Sequence, residues 1–99
     1  MRAIHDAPLD RLRPAVVLTR SRAGGRLSTV TVAAITTTIH GIATEVEVDE
    51  SNGLHHVSVV NLDNVFTIPY ERLGRHLGYL TEGQEAALHS ALIRAFDLQ

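Results

Sequence analysis

Apolar and polar positions along the chain fall into a series of short stretches, most with a two-residue period, and one closing stretch with a helical period. Ile4 to Ala7 reads as a short strand ended by Pro8, followed by a tight connection, Leu9-Asp10-Arg11-Leu12. Ala15-Val16-Val17-Leu18-Thr19 is a continuous apolar run directly after Pro14, which predicts a strand that begins at a proline and is buried on both faces. Ser21 to Arg26, with Gly24-Gly25, reads as a loop, and Leu27 to Ile35 as the next strand. Gly41 marks a turn after Thr36-Thr37-Thr38, whose hydroxyls suit backbone capping. Thr44 to Asp49 alternates cleanly, with Val46 and Val48 on one face and acids on the other, as in a half-buried strand facing water. Ser51-Asn52-Gly53 is a turn signal. His56 to Leu62 is a further strand, carrying Val57, Val59, Val60 and Leu62, and Val65 to Ile68 is another apolar piece stopped by Pro69. Tyr70 to Leu73 suits one helical turn, and His76 to Leu80 a last short strand.

The period then changes. Thr81-Glu82-Gly83-Gln84 has the form of a capping box, opening a helix to about Phe96. Leu88, Ala91, Leu92 and Ala95 give that helix one apolar stripe. Six or seven short strands followed by one helix predict a mainly β, α+β domain spanning residues 1–99: a small curled antiparallel sheet or barrel capped by the helix.

Composition sharpens this picture. Val, Ile and Thr make up 25 of 99 residues, and 19 of them fall between Leu27 and Pro69, where strands are expected. No run of about 18 apolar residues is present, so no membrane partner is expected. The first residues have no apolar core of a secretory signal, which points to a cytoplasmic protein. Without cysteine there is neither a disulfide framework nor a thiolate metal site. A core this small gains from burying a face in a dimer.

Charge is lopsided. With no lysine, every fixed cation is one of nine arginines. Residues 1–26 hold six of them against two Asp, for +4; the remainder holds three against nine acids, for −6. A net charge of −2 makes a poor non-specific DNA coater. A local arginine can still hold a phosphate through its bidentate fork.

Several residues could carry chemistry. Arg13 precedes Pro14 at the mouth of the buried run, where the fixed proline backbone would hold it at a strand end; position alone favours a solvated surface arginine. Thr36, Thr37 and Thr38 end an apolar strand, where hydroxyls bond phosphate or ribose, or more commonly loop backbone. Asn61, Asp63 and Asn64 interrupt two apolar runs at a cost unless paired, so they form an Asx turn or bulge, or line a site. His55 and His56, on a strand, would face opposite ways and not chelate together; His40, His76 and His89 lack ligand spacing, so no metal is expected. His5 and His40 each sit near a strand end, where acid/base work is possible. Phosphate-loop, nucleophile-elbow and HExxH motifs are absent from the sequence.

In linear order these pieces resemble the MazF/PemK/Kid family of toxin endoribonucleases. The resemblance rests on Arg13-Pro14-Ala15-Val16-Val17-Leu18, then Val32-Ala33-Ala34-Ile35-Thr36-Thr37-Thr38, then Ser58 to Ile68 with Asp63-Asn64 inside it, followed by Leu73-Gly74-Arg75 and the closing helix to Phe96-Asp97-Leu98. It covers nearly the whole chain from Arg13 onward. The resemblance implies an SH3-like barrel with a C-terminal helix, a homodimer, and RNA lying across the dimer groove. It implies cleavage of single-stranded RNA, chiefly mRNA with rRNA or tRNA as further targets, at short motifs and with no metal or other cofactor. The 2′-hydroxyl attacks the adjacent phosphorus, leaving a 2′,3′-cyclic phosphate and a 5′-hydroxyl. A cognate MazE-like antitoxin blocks the groove with an acidic, disorder-prone segment.

Carried onto this sequence, the resemblance implies catalytic roles for Arg13 (stabilising the phosphorane), Thr36 (binding the scissile phosphate or orienting the nucleophile) and Asp63 (acid or base). Thr37, Thr38, Asn61, Asn64, His5 and His40 form the expected substrate-binding set, Asn64 in the position of a base-contacting amide. Arginine makes a poor general base, so Arg13 is read as an electrostatic clamp, with the base open among Asp63, His5 and His40. Two departures stand out. Only twelve residues precede Arg13, where most members carry an RGDIW strand and a long loop, and Asn61 stands where some members have an arginine. Alternatives on the same fold are a CcdB-like topoisomerase poison, against which the absence of tryptophan counts, and an inactive antitoxin-binding module.

Overall fold

The computed structural model describes residues 1–20 and 28–99. The Gly24-Gly25 loop and the first residue of the predicted third strand lie outside them. Strands β1 (Ala3–Pro8), β2 (Leu12–Val17), β3 (Thr29–Thr36), β4 (Glu45–Val48), β5 (Ser58–Pro69) and β6 (His76–Tyr79) precede the helix α1 (Glu82–Phe96). Their order in the sheet is β4-β5-β3-β2-β1-β6, with every neighbouring pair antiparallel. The curled sheet with its C-terminal helix is the expected architecture, built from six strands.

Two expectations change. The predicted strands His56–Leu62 and Val65–Ile68 are one twelve-residue strand, and Val57 precedes it, 51% exposed. The polar stretch between them is absorbed as a bulge: Ala33 faces Val65 and Ile35 faces Val60, so four β5 residues stand opposite Ala34 alone. Within it the Asn61 side chain accepts the Asp63 N–H at 3.0 Å, the local bond of an Asx turn. Leu62 remains buried among these polar neighbours. The second change concerns Pro14, which lies inside β2 rather than at its start. Its cross-strand partner, Asp6, donates its N–H to Arg75 O and accepts from Gly74 N–H, so Asp6 makes its ladder bonds on the β6 side. Pairing with β3 begins only at Ala15, so the missing proline donor costs no sheet bond there.

Ala15 and Val16 point into different clusters, confirming a run buried on both faces. On one face Ile4, Val16, Ala33, Ile35, Val46, Val48, Val60 and Leu62 pack beneath Leu88 and Ala91 of α1. On the other, Ala7, Ala15, Val30, Val32 and Ile68 form a smaller cluster under Val17, Phe66 and Leu73. The helix begins as predicted, with Thr81 Oγ1 accepting Gln84 N–H and the Gln84 side chain accepting Thr81 N–H.

The edge strands β4 and β6 meet across a seam made by the 3₁₀ turn Glu50–Asn52. Asn52 is 1% exposed, and all its amide capacity is used: Oδ1 accepts from Asp49 N and Gln84 Nε2, and Nδ2 donates to Tyr79 O and Gln84 Oε1. Gly53 and Gly78 let the two backbones touch; a methyl group on either would run into Leu77 O or Asn52 O.

Candidate active site

The β2–β3 register controls what Arg13 meets. Ala15 pairs with Ala34, so two residues further along each strand, on the same face, Arg13 and Thr36 arrive at the same end of the sheet. They line one cavity of about 290 Å³, together with Arg11, Thr37, His55, His56 and Ser58. The arginine is held from one side. Its Nε donates to Asp10 Oδ1 at 2.8 Å and its Nη2 to Asp10 Oδ2 at 3.0 Å, a fork between the hairpin connection and β2. That fork keeps the Asp10 carboxyl at about 2, well below its ordinary range, and raises Arg13 in turn. The guanidinium is therefore a fixed cation, and its Nη1 has no partner among the described residues. The Thr36 hydroxyl accepts the Thr38 N–H at 3.1 Å, which sets its orientation at the cavity wall.

A clamped guanidinium beside two hydroxyls is suited to the non-bridging oxygens of a phosphate diester. Residues 7–96 match the profile of PemK-like, MazF-like toxins of type II toxin–antitoxin systems. The chain belongs to this family. It is 55% identical over 98 residues to endoribonuclease MazF3 of Mycobacterium tuberculosis, covering 99% of this chain and 95% of the relative. The solved structure of Mycobacterium tuberculosis toxin MazF-mt6 matches with a TM-score of 0.96 and 54% identity, covering 99% of each chain. A mycobacterial endoribonuclease solved in complex with its cognate antitoxin matches with a TM-score of 0.87 and 26% identity, over 98% of this chain and 93% of that one.

In this MazF-like toxin the sequence-derived site residues separate into groups. Arg13, Thr36 and Thr37 share the cavity. Thr38 stands at its rim as the donor to Thr36. Asp63 is elsewhere, exposed on β5 and accepting the Thr44 hydroxyl at 2.6 Å, with Asn61 bonded to its backbone and Asn64 half-buried beside it. His40 lies in the β3–β4 connection, where its N–H and those of Gly41 and Ile42 point to the Glu45 carboxylate. His5 is on the far side of β1: its Nδ1 lies 2.9 Å from Gly74 O, its ring meets His76 edge-on at 5.1 Å, and it lines a separate apolar cavity of about 190 Å³ with Tyr70 and Leu73.

His55 and His56 are a correction. The pattern predicts His56 on a strand, facing away from its neighbour. Both instead lie in the bend before β5, exposed, with ring centroids 6.5 Å apart, and both face the Arg13–Thr36 cavity. Ser58 fixes that bend by donating its hydroxyl to His56 O at 2.9 Å. The Asn52-Gly53 turn three residues upstream was the signal that the chain had not yet returned to strand. Among the described residues, no three His, Cys, Asp or Glu side chains group closely enough to hold a metal ion.

Proposed function

We propose that this toxin is a metal-independent endoribonuclease that cuts single-stranded RNA at short sequence motifs and so arrests translation and growth. The 2′-hydroxyl attacks the adjacent phosphorus, leaving a 2′,3′-cyclic phosphate and a 5′-hydroxyl. The observation that carries this reading is the single cavity shared by Arg13, forked by Asp10, and Thr36. Arg13 neutralises charge on the non-bridging oxygens, where a planar fork outperforms an ammonium. Thr36 and Thr37 position the phosphate. Asp63, Asn61 and Asn64, with Thr38, His5 and His40, contact flanking nucleotides rather than the reacting phosphorus, because none of them lines that cavity. The kinship to proteins named endoribonucleases supports the same reading.

The working unit is a homodimer in the cytoplasm, held silent by a MazE-like antitoxin; support comes from the relative solved with its cognate antitoxin. Light scattering should give roughly twice the 10.8 kDa chain mass. A long transcript incubated with the protein in excess EDTA should be cut, with cyclic-phosphate and 5′-hydroxyl ends on mapping. Arg13→Ala and Thr36→Ala should each slow cutting by about 10²-fold or more. Parental cleavage by both variants would overturn the assignment, and continued cleavage of a substrate with deoxyribose at the cut position would overturn the attack by the 2′-hydroxyl.

A further inference from the structure

The Arg13–Thr36 cavity suits one phosphate, and an RNA strand extends beyond it. The β2 register shows where the same sheet face leads. His5 pairs with Ala15, and Val17 lies two residues further along β2, so both share a face with Arg13 and Thr36. At roughly 3.3 Å per residue, Val17 stands about 13 Å from Arg13 along the strand, within the reach of a few nucleotides. Two cavities adjoin there, and Ala3, Val17, Thr19 and Arg20 line both. The first, of about 190 Å³, is walled by Val17, Val30 and Leu73 together with Tyr70 and His5. The second, of about 490 Å³, adds Met1, Arg2, Tyr79 and Glu85.

The two halves differ in chemistry. The first is apolar with an aromatic wall, and no carboxylate lines it among the described residues. It is smaller than the roughly 300–1,000 Å³ of sites for drug-sized ligands, and its planar walls suit a single base. Gly74 O, 2.9 Å from His5 Nδ1, can only accept, so Nδ1 carries the hydrogen and a neutral ring keeps Nε2 as an acceptor. In the second half the charges are unequal in freedom. Arg2 is tied down: its Nη1 donates to Leu18 O at 2.9 Å, and its Nε lies 3.6 Å from Glu85 Oε1. Glu85 in turn accepts the Arg2 N–H at 2.7 Å, so this carboxylate is matched in place. Arg20 is exposed and belongs to both cavities, with the Thr29 hydroxyl beside the first. We infer that the joined cavities are a nucleotide subsite for the RNA substrate, taking one base against Tyr70 and His5 and the adjoining phosphate on Arg20. The inference rests on the endoribonuclease reading given above. An apolar protein side chain would fill the first cavity but leave the Arg20 guanidinium without the anion its fork fits.

The test is equilibrium binding of a short RNA that bears the mapped cut site, with deoxyribose at the cut to prevent cleavage. A series of the same RNA lacks one base at a time. The proteins are the full-length parent, Tyr70→Ala, Tyr70→Phe and Arg20→Gln, with thermal melting as the check on folding; both positions are exposed. Tyr70→Ala should weaken binding about tenfold, and Tyr70→Phe should bind as the parent does, since the ring is what stacks. One base removal away from the cut should cost the parent about tenfold and cost Tyr70→Ala nothing further, which locates the nucleotide. Arg20→Gln should lower the slope of log affinity against log salt by about 0.7, one phosphate contact on a single strand. Affinities within about twofold of the parent for Tyr70→Ala and Arg20→Gln overturn the inference and leave the cavity to an apolar protein side chain. So does a base-removal series whose costs are the same in the parent and in Tyr70→Ala. Free 5′-mononucleotides that bind as tightly as the RNA, without displacing it, would also overturn it, since the site would then serve a small ligand. Failure of the underlying reading looks different: the parent would leave the all-ribose form of the same RNA uncut.

Discussion

At the scale of single residues, the Asp10–Arg13 fork sets the electrostatics of the cavity. Its sign is clear. The Asp10 carboxyl has a folded pKa lowered to about 2, chiefly by the hydrogen bond from Arg13. The pair is therefore complete above the ordinary carboxylate range and is lost only as pH falls through about 2. A carboxyl titration followed by NMR should place Asp10 there, and Arg13→Ala should return it toward the usual value. Arg13→Lys keeps the charge but has no second N–H edge to share between Asp10 and a phosphate. It should cut about 10²-fold more slowly, a loss that a charge-only role would not produce. The sequence brought Arg13 and Thr36 forward as candidates, since both stand at ends of apolar runs. It could not say that Asp10 would take one edge of the guanidinium, because an i, i+3 pair across a tight connection depends on how that connection turns. Nor could it bring His55 and His56 to the same wall, because side-chain direction in a bend has no period to read.

Among the elements, α1 was the most legible. Its capping box and its Leu88–Ala91–Leu92–Ala95 stripe lie within the chain's own register, and both are seen. Thr81→Ala should cost about 1 kcal/mol in chemical denaturation. Leu88→Ala, which empties a fully buried position beneath the helix, should cost about 2–5 kcal/mol. The strand β5 was the least legible. Asn61, Asp63 and Asn64 look like a break because polar residues within a strand are expensive. They are tolerated because the bulge opposite Ala34 turns Asp63 toward Thr44 and lets Asn61 satisfy a backbone donor, while Leu62 keeps to the core. Pro14 misleads in the same way: a proline predicts a strand end only where its neighbour would need its N–H, and Asp6 does not.

Across the molecule, the six strands among the described residues leave two edges, with no backbone ladder between β4 and β6 there. Asn52 joins them instead, through a two-way amide exchange with Gln84 and a bond to Tyr79 O. Asn52→Ala would remove two bonds from the half-buried Gln84 amide and leave the Tyr79 carbonyl without its donor, at about 1–3 kcal/mol, while Gln84→Ala should lose a comparable amount and the two together less than their sum. Urea titrations of the two single variants and the double variant measure that coupling. Because side-chain bonds and close backbone contacts rather than a ladder span the gap, the curled sheet has a preferred place to come apart. In amide exchange under native conditions, protons near Tyr79 and Val48 should be released at a lower energy than those between β2 and β3, opening the wall along its length while the remaining strands stay paired.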